Sequence, residues 1–135
     1  MLSHSKDGLK EEVVSCHARE DTEVDFEQKG VGETRKTEAG GMTIAFERWA
    51  SGLDATEMFA ELPDGACQEQ HWGVVIKGQG RIRYTGDRED DVISAGQAYY
   101  MPPGHVPMVD DGDDLELIGF TPADQSPDQQ PPPKA

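Results

Sequence analysis

Positive charge is scarce in this 135-residue sequence: 12 lysines and arginines stand against 27 aspartates and glutamates, a formal net charge of -15. That balance excludes nucleic-acid backbones and anionic membrane surfaces as partners, because both are bound by clustered Lys and Arg that displace counterions. Long apolar runs are missing too, and none approaches the roughly 18 residues that span a bilayer. The opening stretch MLSHSKDGLKEE has no apolar segment of a secretory signal, so the expected location is cytoplasmic. Only two cysteines occur, Cys16 and Cys67, far apart and in different contexts. This is not a disulfide framework, and both are expected to be reduced. A phosphate-cradling glycine loop, a Ser-His-Asp arrangement and a redox cysteine pair are all absent.

What remains has the length of one domain. A unit of this size buries about two thirds of the surface its unfolded chain exposes, so it needs neither disulfide nor structural metal to hold a core. Any metal would then serve function. The last fifteen residues, TPADQSPDQQPPPKA, hold five of the nine prolines and no large aliphatic side chain, and 121–135 read as a flexible, disordered tail. Residues 1–23 read as an N-terminal arm or short helix, because Leu9, Val13, Val14 and Cys16 fall at roughly helical spacing after Asp7, a suitable N-cap.

From residue 24 the grammar becomes short apolar stretches cut by Gly, Pro and Asp. MTIAFERW (42–49), ATEMFAEL (55–62), WGVVIKG (72–78), GRIRYTG (80–86), DVISAG (91–96), QAYYMPP (97–103) and LELIGF (115–120) are strand-length and rich in β-branched or aromatic residues. Turn chemistry separates them. Val24, Phe26 and Val31 extend the pattern as an added strand or arm. The acid-rich DDGDDLE (110–116) lacks the ligand spacing of a calcium loop and reads as a solvated turn. Seven or more strands about ten residues apart predict an all-β antiparallel sandwich or barrel over 24–120.

Two of the four histidines, His71 and His105, fall in this strand-dense half beside turns. In LPDGACQEQHWGVVIKGQG, the residues Cys67, Glu69 and His71 alternate and share a face if extended. In SAGQAYYMPPGHVPM, Tyr99 and Tyr100 lead into a rigid Pro102-Pro103-Gly104 turn that would hold His105 at a defined place. One tyrosine of that adjacent pair should point inward, where its hydroxyl would orient a ligand or act as an acid. Arg81 and Arg83 share one strand face, either as charged exterior or, if inward, as a grip for a carboxylate.

These two segments resemble the paired motifs of the cupin superfamily, small jelly-roll β-barrels of two antiparallel sheets, here of the small single-domain cupin 2 type. The first family motif places two histidines one residue apart, then a Glu, then a Gly seven residues after it. Anchored on Gly78, the Glu position falls on His71, the second histidine on Cys67 or Ala66, and the first on Gly65 or Asp64. In the second motif Gly96, Pro102 and Gly104 fit, the final position is Pro107, and His105 stands two places earlier. The backbone signature covers about 42–120, with the metal signature altered.

The resemblance implies a ligand site at the open barrel mouth and a divalent transition metal there. Zinc or iron leads, with nickel or copper as further options, because imidazole and thiolate disfavour magnesium and calcium. Cys67, His71 and His105 would leave zinc one position for water. Equally, His71, His105 and Glu69 would form a two-His-one-carboxylate iron site. The walls are expected from Val74–Ile76, Leu115–Ile118 and Met58–Leu62. The activities implied are those of a metal-dependent dioxygenase, isomerase or lyase on a small polar molecule. The alternative is a non-catalytic, even metal-free, small-molecule-binding or sensing cupin. A homodimer is implied by the family's habit of packing N-terminal arms on a second subunit.

Overall fold

The computed structural model describes residues 13–124. Nine strands form among them: β1 (Val24–Gln28), β2 (Gly32–Ala39), β3 (Met42–Trp49), β4 (His71–Lys77), β5 (Gln79–Tyr84), β6 (Asp91–Ser94), β7 (Ala98–Met101), β8 (His105–Met108) and β9 (Leu115–Pro122). They build two antiparallel sheets, one of order β1-β2-β3-β9-β4-β7 and one of order β6-β5-β8. The fold is thus all-β, as the turn-punctuated pattern predicts. No helix among the described residues is long and apolar enough to cross a membrane.

Period-2 alternation decides what each strand offers the interior. On β4, β5 and β9 the inward residues include Val75, Ile82, Leu115 and Leu117, which pack with Leu53, Tyr84, Ile93, Met101 and Val109 as the main core. A second cluster joins Ala55, Phe59, Leu62, Ala66, Cys67 and Val106. The outer face of the larger sheet is also apolar, with Trp72, Val74, Ile76 and Tyr100 exposed. Val74 and Ile76 therefore do not line the barrel, contrary to the expectation for that stretch; only Val75 between them does.

Three departures from the sequence reading have physical causes. ATEMFAEL is not a strand: its buried residues Ala55, Phe59 and Leu62 recur at helical spacing, and Phe59 N–H donates to the Ala55 carbonyl at 3.0 Å in a run of tight turns. Strand β2, GETRKTEA, has no apolar side chain larger than alanine, so periodicity gives it no signal. The N-terminal helix is missing where it can be seen. Residues 13–18 have no regular structure, Arg19–Asp21 make a single 3-10 turn, and Val13 and Val14 are exposed. Leu9 and the Asp7 cap lie outside the described residues, as does most of the expected tail, though β9 runs on to Pro122 and Ala123 N–H bonds the Gly41 carbonyl at 3.1 Å.

The arm is instead tied down by charge. Glu33 on β2 is buried and accepts from Arg19 at 2.5 Å and from Arg35 through both oxygens at 3.1 and 3.2 Å. The Arg35 hydrogen bond, opposed by burial and helped by the Arg19 and Arg35 charges, holds the Glu33 carboxyl below its ordinary 4.5. A carboxyl depressed in the fold contributes stability that is present above 4.5 and lost as pH falls through the lower folded value. Glu33→Gln should therefore lower the thermal midpoint at pH 7 and shrink its fall between pH 5 and 3, measured by melts at each pH. Equal losses for variant and parent across that range would contradict the linkage.

Candidate metal centre and cavity

Cys67, His71 and His105 belong to different segments, and backbone hydrogen bonding brings them together. Cys67 N–H donates to the His105 carbonyl at 3.0 Å and Gly104 N–H to the Cys67 carbonyl at 2.8 Å, so the two sequence motifs are strapped to each other. Gly104 takes φ +93° in the Pro-Pro-Gly turn, a conformation that favours glycine. His71 opens β4 opposite Met101. The ligating atoms of the three side chains all lie within 4.8 Å of one another. Cys67 Sγ is 3.6 Å from His71 Nε2, and the two imidazoles meet edge to face with centroids 5.0 Å apart.

His105 Nδ1 donates to the Pro102 carbonyl at 2.7 Å, which leaves Nε2 with its lone pair; such a second bond fixes tautomer and ring orientation in metal-ligating histidines. Burial pushes the His71 imidazole down to about 3, with His105 and Lys36 adding to the effect. Burial also lowers His105, against the Pro102 bond. Both rings are therefore neutral at pH 7. Burial raises the Cys67 thiol to about 12, opposed by the backbone N–H of Glu69, with the charges of Glu69 and Glu47 adding to it. A coordinated cation reverses that preference, because a bound thiol loses its proton.

The set fits a transition ion. A tetrahedral ion with Zn–S about 2.3 Å and Zn–N about 2.0–2.1 Å separates sulfur and nitrogen ligands by about 3.6 Å, the Cys67–His71 distance seen here. Glu69 is buried beside the cluster, its Oε1 4.0 Å from His71 Nε2. The alternation of Cys67, Glu69 and His71 thus puts all three inward, and the carboxylate stands at the edge of the Cys-His-His group.

The cluster opens on a cavity of about 760 Å³, walled by β2, β3, β9 and the 53–59 segment. Of the tyrosine pair, Tyr99 faces this cavity, whereas Tyr100 lies on the outer face, accepting from Gln70 Nε2 at 2.8 Å and packing on Trp72. Arg81 and Arg83 also point outward, where Arg81 pairs with Asp110 at 3.0 Å and Arg83 donates to Thr56 at 2.7 Å. The buried residues of β5 are Gly80, Ile82 and Tyr84, so the arginines take the opposite face. Neither arginine nor Tyr100 lines the cavity. Sequence reading missed Lys36, Glu47 and Trp49, which do line it. The one available signal was an acid within the strand-like MTIAFERW.

Comparison with solved structures decides the architecture. The polyketide cyclase RemF from Streptomyces resistomycificus superposes with a TM-score of 0.63 at 12% identity, over 85% of this chain and 83% of that one. The fold is cupin-like. Oxalate decarboxylase OxdC from Bacillus subtilis superposes at 0.59 and 17% identity over 85% of this chain, which spans about a third (32%) of that protein; a further structure of it concerns its Mn(II) centres. A Vibrio parahaemolyticus protein of unknown function, VPA0057, matches at 0.54 and 13% identity, over 73% of this chain and 96% of that one. No protein-family model and no curated protein matches the sequence.

Proposed function

We propose that this cupin-like chain binds one divalent transition metal, zinc or iron foremost, through Cys67, His71 and His105, and acts on a small molecule in the adjoining cavity. The observation that carries this is the convergence of one sulfur and two neutral imidazoles within 4.8 Å, with His105 Nδ1 tied to a backbone carbonyl. Such a metal, when bound, polarises a substrate oxygen or activates water. The chain's own part is to hold three ligands in register and to present the Tyr99 hydroxyl and the Glu69 carboxylate beside the bound molecule. The Mn(II) centres of the fold neighbour OxdC support a metal in this barrel type without naming the ion. The test is equilibrium uptake: chelator-stripped protein should take up near one equivalent of zinc in a competition titration. Less than a tenth of an equivalent would overturn the reading.

The homodimer belongs to the same proposal. A chain of net charge -15 meets a second copy with least repulsion through an uncharged surface, and Trp72, Val74, Ile76 and Tyr100 supply one. Sedimentation should give twice the 14.8 kDa chain mass, reverting toward the monomer in Ile76→Lys; a monomeric parent would refute it.

A further inference from the structure

We propose that Glu47 and Tyr99 form a second polar subsite in the cavity, which grips an oxygen of a neutral hydroxyl- or carbonyl-bearing molecule with an apolar body. The proposal rests on the cavity being the binding site, as above, and not on the metal.

The first observation is a pair of glycines in facing strands. Gly73 of β4 pairs with Gly119 of β9 and with Tyr99 of β7. A Cβ on Gly73 would lie 2.5 Å from Tyr99 Oη and 2.7 Å from Cζ, and one on Gly119 would lie 3.1 Å from the same oxygen. The phenol ring therefore lies down over two positions stripped of side chains. Glycine inside a strand weakens it, and its presence marks a close approach.

The second observation is where that approach leads. Glu47 projects from β3 opposite Leu117, and its Oε2 is 4.0 Å from the same Gly119 Cβ position. The Tyr99 hydroxyl and the Glu47 carboxyl thus converge above Gly119. Glu47 Oε1 accepts from Trp49 Nε1 at 2.7 Å, which anchors the carboxyl and leaves Oε2 for the cavity. Among the described residues, neither Oε2 nor the Tyr99 hydroxyl makes a hydrogen bond.

The third observation is charge. The cavity wall carries Asp25, Glu33, Glu38, Glu47 and Glu69 against Lys36 and Arg48, and the outward arginines give no help. Carboxyls thus outnumber the cations on the wall and disfavour an anion, whereas Trp49, Met58, Phe59, Met101 and Leu117 suit an apolar body. Burial raises the Glu47 carboxyl above its ordinary value and raises the Tyr99 phenol as well. The Tyr99 hydroxyl then donates toward a carbonyl or hydroxyl oxygen, and Glu47 Oε2 accepts from a ligand hydroxyl.

The chain has two tryptophans, and Trp49 touches the subsite while Trp72 sits on the outer face. In Trp72→Phe protein, Trp49 emission is a direct reporter. Cyclohexanol should change it saturably, equally in zinc-loaded and chelator-stripped protein, while cyclohexanecarboxylate should bind at least tenfold more weakly. Glu47→Gln and the conservative Tyr99→Phe should each weaken cyclohexanol about three- to tenfold, with zinc uptake unchanged. Carboxylate binding as tight as the alcohol, or alcohol affinity untouched by both substitutions, would overturn the subsite. Loss of zinc uptake with alcohol binding intact would instead sink the metal reading and leave this one standing.

Discussion

Replacing His71 or His105 by alanine should reduce the zinc held by the purified, reconstituted protein from near one equivalent to under a tenth. Changing an outer partner of a metal-bound histidine already costs about 10–100-fold in affinity, so removing a ligand should cost on the order of a hundredfold or more. The two rings arrive by different routes, His71 on β4 and His105 after a Pro-Pro-Gly turn. A common loss in both variants would therefore report their meeting point and not one local defect. Burial keeps both imidazoles neutral at pH 7, so neither has to shed a proton before binding. Tyr100→Phe, on the outer face, serves as the control with unchanged zinc content. Plasma mass spectrometry with circular dichroism separates loss of metal from loss of fold; full zinc content in either histidine variant would exclude that residue as a ligand.

The second large effect is on stability. Gly73→Ala puts a methyl 2.2 Å from the Ile118 carbonyl oxygen and 2.5 Å from the Tyr99 hydroxyl. The tyrosine can tilt away, but the Ile118 carbonyl belongs to the β4–β9 ladder at the centre of the larger sheet and cannot. Overpacking of this kind costs about 3 kcal/mol, which lowers the thermal midpoint of a domain this size by roughly 10 °C. Gly119→Ala should cost less than half as much, because its methyl meets the Tyr99 oxygen at 3.1 Å and backbone no nearer than 3.7 Å. Differential scanning calorimetry on the two variants tests the contrast. Equal midpoints for Gly73→Ala and the parent would mean that β4 and β9 are not held at this register.

Much of the architecture was legible because the second half of the chain obeys simple punctuation. WGVVIKG, GRIRYTG and LELIGF are apolar runs closed by Gly or charge, and each became a strand. Strand β2 stayed hidden because Thr34, Lys36 and Glu38 line the cavity, so its inward face is polar. The same logic misleads on β3. There the apolar set Met42, Ile44 and Phe46 alternates with Thr43, Ala45, Glu47 and Trp49, and the mixed polar set turns inward. A rule that apolar faces point inside inverts this strand.

The candidate site was half legible. Alternation placed Cys67, Glu69 and His71 on one face, and the fixed turn placed His105. That Cys67 and Glu69 both point inward, with the sulfur nearer His71, depends on the Cys67–His105 backbone bridge, which no local spacing encodes. Glu47 was invisible because its meaning lies in Gly119 and Tyr99 across two other strands.

X-ray absorption at the zinc edge of the reconstituted protein tests the central claim most directly. One sulfur scatterer at about 2.3 Å with two imidazole nitrogens at about 2.0–2.1 Å, and loss of the sulfur shell in Cys67→Ser, is the expected result. A shell of nitrogen and oxygen alone in the unaltered protein would contradict ligation by Cys67 and move the carboxylate of Glu69 into its place.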